Sequence, residues 1–228
     1  MSKLTIRTIL LLPMLLLLGS VTYVQAQGFS AYFGLGSAHD GAGTSINPNT
    51  GISCPKGQLF DDFTPPFGAC EPGPTMGGVF GVFGADFMLR PKFGINGEYA
   101  FRFAQGDYLP LAGLKYRPGF YDFNAVYQPL SSKRIVPVVE GGIGGARIAL
   151  YFTQSASVTG INSTVTQFFA SANHFQVHGA FGVKLYVKGN MFIKPQFDIH
   201  YVTHLTDQFN SNWVPQYTVA VGYTFGEH

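Results

Sequence analysis

The chain has 228 residues, enough for one domain, and carries 14 basic against 12 acidic side chains. Only 11% of its residues are charged, against about 25% in a typical soluble domain, while 15% are aromatic. This balance gives no case for a nucleic-acid partner, is unusual for a soluble domain, and suits a chain that shows aliphatic and aromatic side chains to lipid.

Residues 1–26 read as a secretory signal. Lys3 and Arg7 form a basic start, Ile9 to Leu18 form an apolar stretch, and Val24-Gln25-Ala26 predicts cleavage before Gln27. The apolar run is about 10–12 residues, short of the ~20 that a spanning helix needs. Without Lys3 and Arg7 the 14 basic side chains become 12, equal to the 12 acidic ones. The remaining residues, 27–228, read as one domain with a long extracellular loop over 38–75.

The domain alternates apolar and polar residues with a period of two, which marks β-strands because successive side chains leave a strand on opposite faces. The first strand spans 27–37, with Phe29, Ala31, Phe33 and Leu35 on one face and Ser30, Tyr32, Gly34 and Gly36 on the other. In loop 38–75, Cys54 and Cys70 predict a disulfide, since export leads to an oxidising compartment. It would close a loop of about 15 residues, a stabilisation of ~3 kcal/mol in the chain-entropy model. No His or third Cys lies near enough to make a metal site of the pair. The second strand spans 76–89, with Asp86 its lone acid, and the third spans 93–103, with Glu98 and Arg102 on the inner face.

A loop near 105–111 leads to the fourth strand, 112–127. There Tyr121, Phe123 and Tyr127 take one parity, but Leu114, Tyr116 and Phe120 take the other, so a β-bulge is expected at Pro118-Gly119-Phe120. The fifth strand spans 135–152 and places Glu140 inside. Its Gly141-Gly142-Ile143-Gly144-Gly145 run lacks the spacing of a phosphate cradle and predicts bending of a wall or room for bulky neighbours. Arg147 has outward parity and either lies near the outer rim or is turned inward by a second bulge. Residues 153–172 are rich in Ser, Thr and Asn and read as a surface loop. The hairpin that follows places Phe175 to Val187 and Ile193 to Leu205 in long alternating runs. The last strand spans 213–225.

Eight amphipathic strands, one face for lipid and one for water, predict an all-β fold: an antiparallel up-and-down transmembrane β-barrel in the bacterial outer membrane. The leader, the eight strands, the Gly-aromatic richness and the terminal Tyr223-Thr224-Phe225 resemble the small OmpA-like outer-membrane β-barrels without a peptidoglycan-binding domain. The resemblance implies that Tyr223 and Phe225 form a C-terminal signal read by the barrel-assembly machinery. It also implies periplasmic chaperones, membrane lipid and lipopolysaccharide as partners, and a monomer.

Two lumen clusters are candidate sites. A three-residue turn at Lys188-Gly189-Asn190 sets Val187 opposite Met191, His178 opposite His200 and His174 opposite His204. Such pairs could bind a divalent metal, open by charge repulsion below pH ~6.5, or simply line the lumen. The same register sets Lys184 against Lys194, so acids from neighbouring strands are expected beside them. Asp86, Glu98, Arg102, Glu140, Lys184, Lys194 and Asp198 would form a lumen ion network, either as filling or as a narrow gated path. A lipid-modifying enzyme would need a Ser-His-acid set on the outer face near the rim, where the sequence offers none. The expected function is a non-enzymatic structural or surface-contact barrel with a filled lumen and no cofactor; the alternative is a small gated pore. The Cys54–Cys70 loop, with Phe60, Asp61, Asp62, Phe63, Pro65, Pro66 and Phe67, is a candidate contact surface.

Overall fold

The structure, a computed structural model, describes residues 28–41, 43, 51, 53–61, 69–109, 113–130, 132, 134–158, 161–207 and 209–226. The expected leader lies outside them. In chain order the strands are β1 (Gly28–Ala38), β2 (Gln58–Asp61), β3 (Ala69–Pro72), β4 (Phe80–Met88), β5 (Phe93–Arg102), β6 (Gly106–Leu109), β7 (Leu114–Tyr127), β8 (Ile135–Val158), β9 (Ile161–Lys188), β10 (Met191–Val202) and β11 (Trp213–Phe225).

Eight of them, β1, β4, β5, β7, β8, β9, β10 and β11, form a ring in which each pairs antiparallel with the next. The ring closes through β1 and β11, from Phe29 opposite Phe225 to Ala38 opposite Gln216. Closure leaves no open sheet edge within the wall, the condition for crossing a hydrocarbon layer with strands. Burial alternates along the strands: Phe29, Phe33 and Leu35 are exposed while Ser30, Tyr32 and Gly34 are buried. The exposed face of the wall is apolar, with Phe83, Phe87, Phe93, Ile95, Phe123, Ile143, Phe181, Val219 and Val221 among its side chains. A closed barrel with an outward apolar band is the architecture of an outer-membrane protein.

The connections at one end are tight, among them residues 89–92 and the turn at Gly189-Asn190. At the other end lie the long segments, which in this architecture are extracellular. There β2 and β3 form a small hairpin, stapled by the Cys54–Cys70 disulfide with Cα atoms 5.6 Å apart. Short β6 adds to β7.

Two expectations about the wall fail. No bulge interrupts β7: its register runs unbroken from Leu114 opposite Phe152 to Tyr127 opposite Val139, and equally against β5. Tyr116 and Phe120 therefore keep the inward parity of Asp122 and are buried as apolar lumen residues. Residues 153–172 are also no irregular loop. They continue β8 and β9 as a hairpin that outruns both neighbours, since β7 stops at the level of Phe152 and β10 at the level of Gln176. Thr, Val and Phe favour extended backbone. Water on both faces of a projecting hairpin removes the alternation by which a strand is recognised. A bulge lies at Leu150/Tyr151, where Phe169 is the extra residue. Arg147, opposite Asn173, precedes that bulge and points outward and exposed, so the first of its two readings holds.

Candidate functional site: the barrel lumen

Inward side chains fill the barrel in layers. At the tight-turn end, Met88, Val126 and Val138 form one apolar cluster, and Tyr32, Phe192 and Ala220, with Tyr186 against them, form another. The central layer is polar. Lys184 Nζ pairs with Asp86 Oδ2 at 2.7 Å and donates to Ser30 Oγ at 3.0 Å. Lys194 Nζ pairs with Glu140 Oε1 at 2.6 Å and lies 4.2 Å from the centre of the Tyr32 ring. Each lysine thus meets an acid that offsets the like charge of the other, but not from an adjacent strand as expected: Asp86 on β4 reaches Lys184 on β9 across the lumen, and Glu140 on β8 reaches Lys194 on β10 from two strands away.

Tyr32 ties the pairs together. Its hydroxyl donates to Glu98 Oε2 at 2.7 Å and accepts from Asn96 Nδ2 at 2.9 Å, while the same Asn96 amide donates to Asp86 Oδ1 at 2.6 Å. The Tyr32 ring lies where a side chain at Gly84 would project, so this position admits only glycine without displacing the ring. Gly142 and Gly144 play the same part for Asn124 and Asp122: a Cβ at either would strike a β7 carbonyl. Room for neighbours, one of the two uses expected for the glycine run, is present inside at Gly142 and Gly144 and also on the outer face, where a Cβ at Gly145 would strike the Tyr121 ring.

His178 sits above the lysines. Its Nδ1 lies 2.9 Å from Asn124 Oδ1 and its Nε2 3.1 Å from Asp198 Oδ1. Gln196 Nε2 donates to Asp198 Oδ1 at 2.5 Å and to Glu98 Oε2 at 3.2 Å, and Gln176 Nε2 donates to Asp122 Oδ1 at 2.5 Å. His200 stacks between His178 at 4.7 Å and Phe120 at 4.5 Å, and both of its ring nitrogens are buried without a hydrogen bond.

Beyond His200 the lumen turns apolar. Phe80, Val82, Ala100, Tyr116, Phe120, Ala146, Ile148 and Val202 from the wall meet Met76, Leu205 and Phe209 from the loops. Leu205, the end of the second alternating run, shares the parity of exposed Phe197 but is folded inward by a short 3-10 turn, Leu205–Asp207. The loops that bring these residues are tied together. Asp40 accepts from the backbone N–H groups of Gly41 at 2.8 Å and Ser211 at 3.2 Å, and Met76 N–H donates to the Asp40 carbonyl at 3.0 Å. The result is an apolar lid over a polar layer.

The histidine register is present in the body of the hairpin, with His178 opposite His200 and Phe192 opposite Tyr186. The turn differs in detail. Met191 pairs with Lys188 rather than Val187, leaving a two-residue turn, and a shift at Met191/Phe192 restores the expected register. Gly189 has φ +53°, which a glycine adopts without strain. His174 and His204 do not pair. His204 leaves the ladder with φ 56° and is exposed, while His174 is half-buried. The set whose ligand atoms come within 4.8 Å of one another is Asp122, His178 and His200, so these three, rather than four histidines, could hold a metal ion. A metal there would have to take over atoms of His178 and Asp122 that now make hydrogen bonds.

Of the seven ion-network residues, Asp86, Glu98, Glu140, Lys184, Lys194 and Asp198 meet in the central layer. Arg102 does not. It sits half-buried near the mouth, where its Nη1 donates to the Tyr116 hydroxyl at 2.9 Å and its guanidinium covers the Tyr116 ring. Sequence reasoning missed the neutral half of the layer, Tyr32, Asn96, Asn124, Gln176 and Gln196, although all have inward parity. Tyr223 and Phe225 face outward with rings 4.9 Å apart. Phe60 and Asp61 lie on β2, and residues 62–68 are outside the described ones.

No protein-family model and no curated protein matches the chain. Solved structures do. Neisserial surface protein A is 12% identical, with 86% of this chain and 97% of that one covered at a TM-score of 0.50. The attachment invasion locus protein Ail of Yersinia pestis is 11% identical over 88% of this chain and 100% of its own, with a TM-score of 0.47. The N-terminal barrel domain of Pseudomonas aeruginosa OprF is 13% identical over 88% and 100%, with a TM-score of 0.45. The chain has the fold of the small eight-stranded outer-membrane β-barrels. That is the fold implied by the resemblance to the small OmpA-like barrels.

Proposed function

We propose that the protein is a closed, non-enzymatic outer-membrane barrel whose working surface is its extracellular end. The observation that carries this reading is the lumen, where an apolar lid of Phe80, Phe120, Ile148, Leu205 and Phe209 covers a layer of paired charges. An ion would have to cross both the apolar lid and the paired charges. The projecting β8–β9 hairpin and the disulfide-stapled β2–β3 hairpin are the surfaces offered to a contact partner. Against an enzyme, the buried histidines His178 and His200 face the lumen and not the lipid. Assembly would use periplasmic chaperones and the barrel-assembly machinery, the latter reading Tyr223 and Phe225, and the product would be a monomer in lipopolysaccharide-rich membrane.

The gated pore is the competing reading, favoured by the polar central layer alone. Purified barrel in planar bilayers discriminates between the two. The closed reading expects no unitary conductance steps, and reproducible steps of one size would replace it with the pore.

A further inference from the structure

Asp122 on β7, His178 on β9 and His200 on β10 meet inside the barrel, although β8 separates the first two. Glycines allow it. In the rows that run across β9, β8 and β7, Gly142 lies between His178 and Asn124, and Gly144 between Gln176 and Asp122. With no side chain on β8 at either place, His178 reaches Asn124 and Gln176 reaches Asp122.

His200 is the costly member of the set. It is fully buried, and neither ring nitrogen has a hydrogen bond. A buried polar atom without a partner loses its hydration and gains nothing in exchange. Its stacking contacts, with His178 at 4.7 Å and Phe120 at 4.5 Å, are ones that a phenyl ring would make as well. Asp122 is also buried, and among the described residues no lysine or arginine pairs with it. The central lumen has an excess of acid around them, with Asp86, Glu98, Asp122, Glu140 and Asp198 against Lys184 and Lys194. A nitrogen without a partner and a carboxylate without a counter-charge both suit a cation.

We infer that Asp122, His178 and His200 are the ligands of a divalent transition-metal ion of the zinc class, which ties β7, β9 and β10 together beneath the apolar lid. Two imidazoles and one carboxylate form a borderline donor set, whereas calcium and magnesium take oxygen ligands. Tetrahedral zinc has a fourth position. Gln176 Oε1, buried without a partner on an amide already bonded to Asp122, is a neutral oxygen for it. On His178 the ligand atom is Nδ1, the nitrogen that faces β7. Asn124 Nδ2 donates to Asn96, so Asn124 Oδ1 accepts the proton of His178 Nδ1. The ion replaces that proton, which leaves to solvent, and His178 keeps its Nε2 contact with Asp198 at 3.1 Å. A carboxylate behind a ligand histidine fixes the orientation of the ring, and Gln196 in turn holds Asp198. His200 loses no hydrogen bond in turning a nitrogen to the ion. The lid closes one end of the lumen, so the ion is taken up as the barrel folds. Neither a closed nor a conducting lumen is required, and conductance and metal retention can fail separately.

The test refolds the untagged barrel in detergent with Zn²⁺, Ca²⁺, Mg²⁺ or a chelator, removes free ion by gel filtration and measures retained metal by atomic absorption. Heat-modifiable gel mobility, read against temperature, reports folding and stability. Wild type should retain about one Zn²⁺ per barrel and neither Ca²⁺ nor Mg²⁺, and Zn²⁺ should move its mobility transition to higher temperature. His200→Phe should fold without metal at least as well as wild type, yet bind Zn²⁺ about tenfold or more weakly and show no such shift. Asp122→Asn, which keeps an acceptor for Gln176, should lose Zn²⁺ in the same way. His39→Gln/His204→Gln, at two exposed histidines, should retain it. Failure of wild type to retain Zn²⁺ would overturn the site. So would equal retention in His200→Phe or Asp122→Asn, or Ca²⁺ or Mg²⁺ held as tightly as Zn²⁺. Should His200→Phe not refold, Asp122→Asn and the wild-type ion series decide.

Discussion

The lysines of the lumen are costly residues. Lys184 and Lys194 are buried in the barrel, and an ammonium out of water is tolerated only when a carboxylate and further hydrogen bonds meet it. Asp86 and Glu140 supply the carboxylates, and Tyr32 and Ser30 supply the rest. Removing one partner leaves the other charge buried and alone. Lys184→Met should therefore destabilise the barrel by ~3–5 kcal/mol in urea unfolding from lipid vesicles. Adding Asp86→Leu should restore most of that loss, because an apolar pair of similar volume is often as stable as a buried ion pair. If the double variant is no better than the single one, Asp86 and Lys184 are not the coupled pair. The identity of these residues as inward charges was legible from parity. Which acid meets which lysine was not, because their strands are far apart in sequence and register across the ring decides it.

Strand elements were recognised where one face met lipid and the other the lumen. β11 matches its expected bounds, and β5 is within one residue of its own. Reading failed where that contrast vanished. In β7, apolar residues on both faces suggested a bulge, because inward Phe120 and Tyr116 resemble lipid-facing ones. In 153–172, polar residues on both faces suggested a loop. Among the described residues the upper β8–β9 hairpin forms strand pairs only with itself, outside the ring of the wall. Replacing residues 155–164 with a two-residue Asn-Gly turn, which keeps Gln154 opposite Val165, should leave a barrel that refolds and keeps its heat-modifiable mobility, with an unfolding free energy changed by no more than about 1 kcal/mol. Failure to refold would make the hairpin part of the folding core.

At the scale of the whole molecule, position relative to the membrane sets the tolerance for charge. Phe123 is outward and 72% exposed, about midway between Tyr127 and Arg117 on β7. Phe123→Arg should cost ~2–4 kcal/mol in vesicle unfolding, the value for a basic residue near the midplane. The same change at Phe103, which is outward, 45% exposed and level with Arg117, should cost ~0–1 kcal/mol, the value near an interface. Equal costs at the two positions would mean that the apolar belt is not centred on the bilayer.

The sequence by itself determined the eight wall strands, the two faces of the wall, the disulfide and the pairing of His178 with His200. Each of these is local: a period of two along neighbouring strands, or a pair of cysteines in one loop. Only the tertiary structure decided what the lumen is. Closure of the ring brings β1, β4 and β5 against β8 and β10, so that Tyr32 can bridge Glu98 and Lys194. It draws the loop residues Leu205, Phe209 and Met76 inward as a lid. It separates His174 from His204, and it sets Arg117 beside Arg147 on the outer rim. These depend on shear, tilt and loop packing, which couple residues far apart along the chain and leave no periodic trace in it.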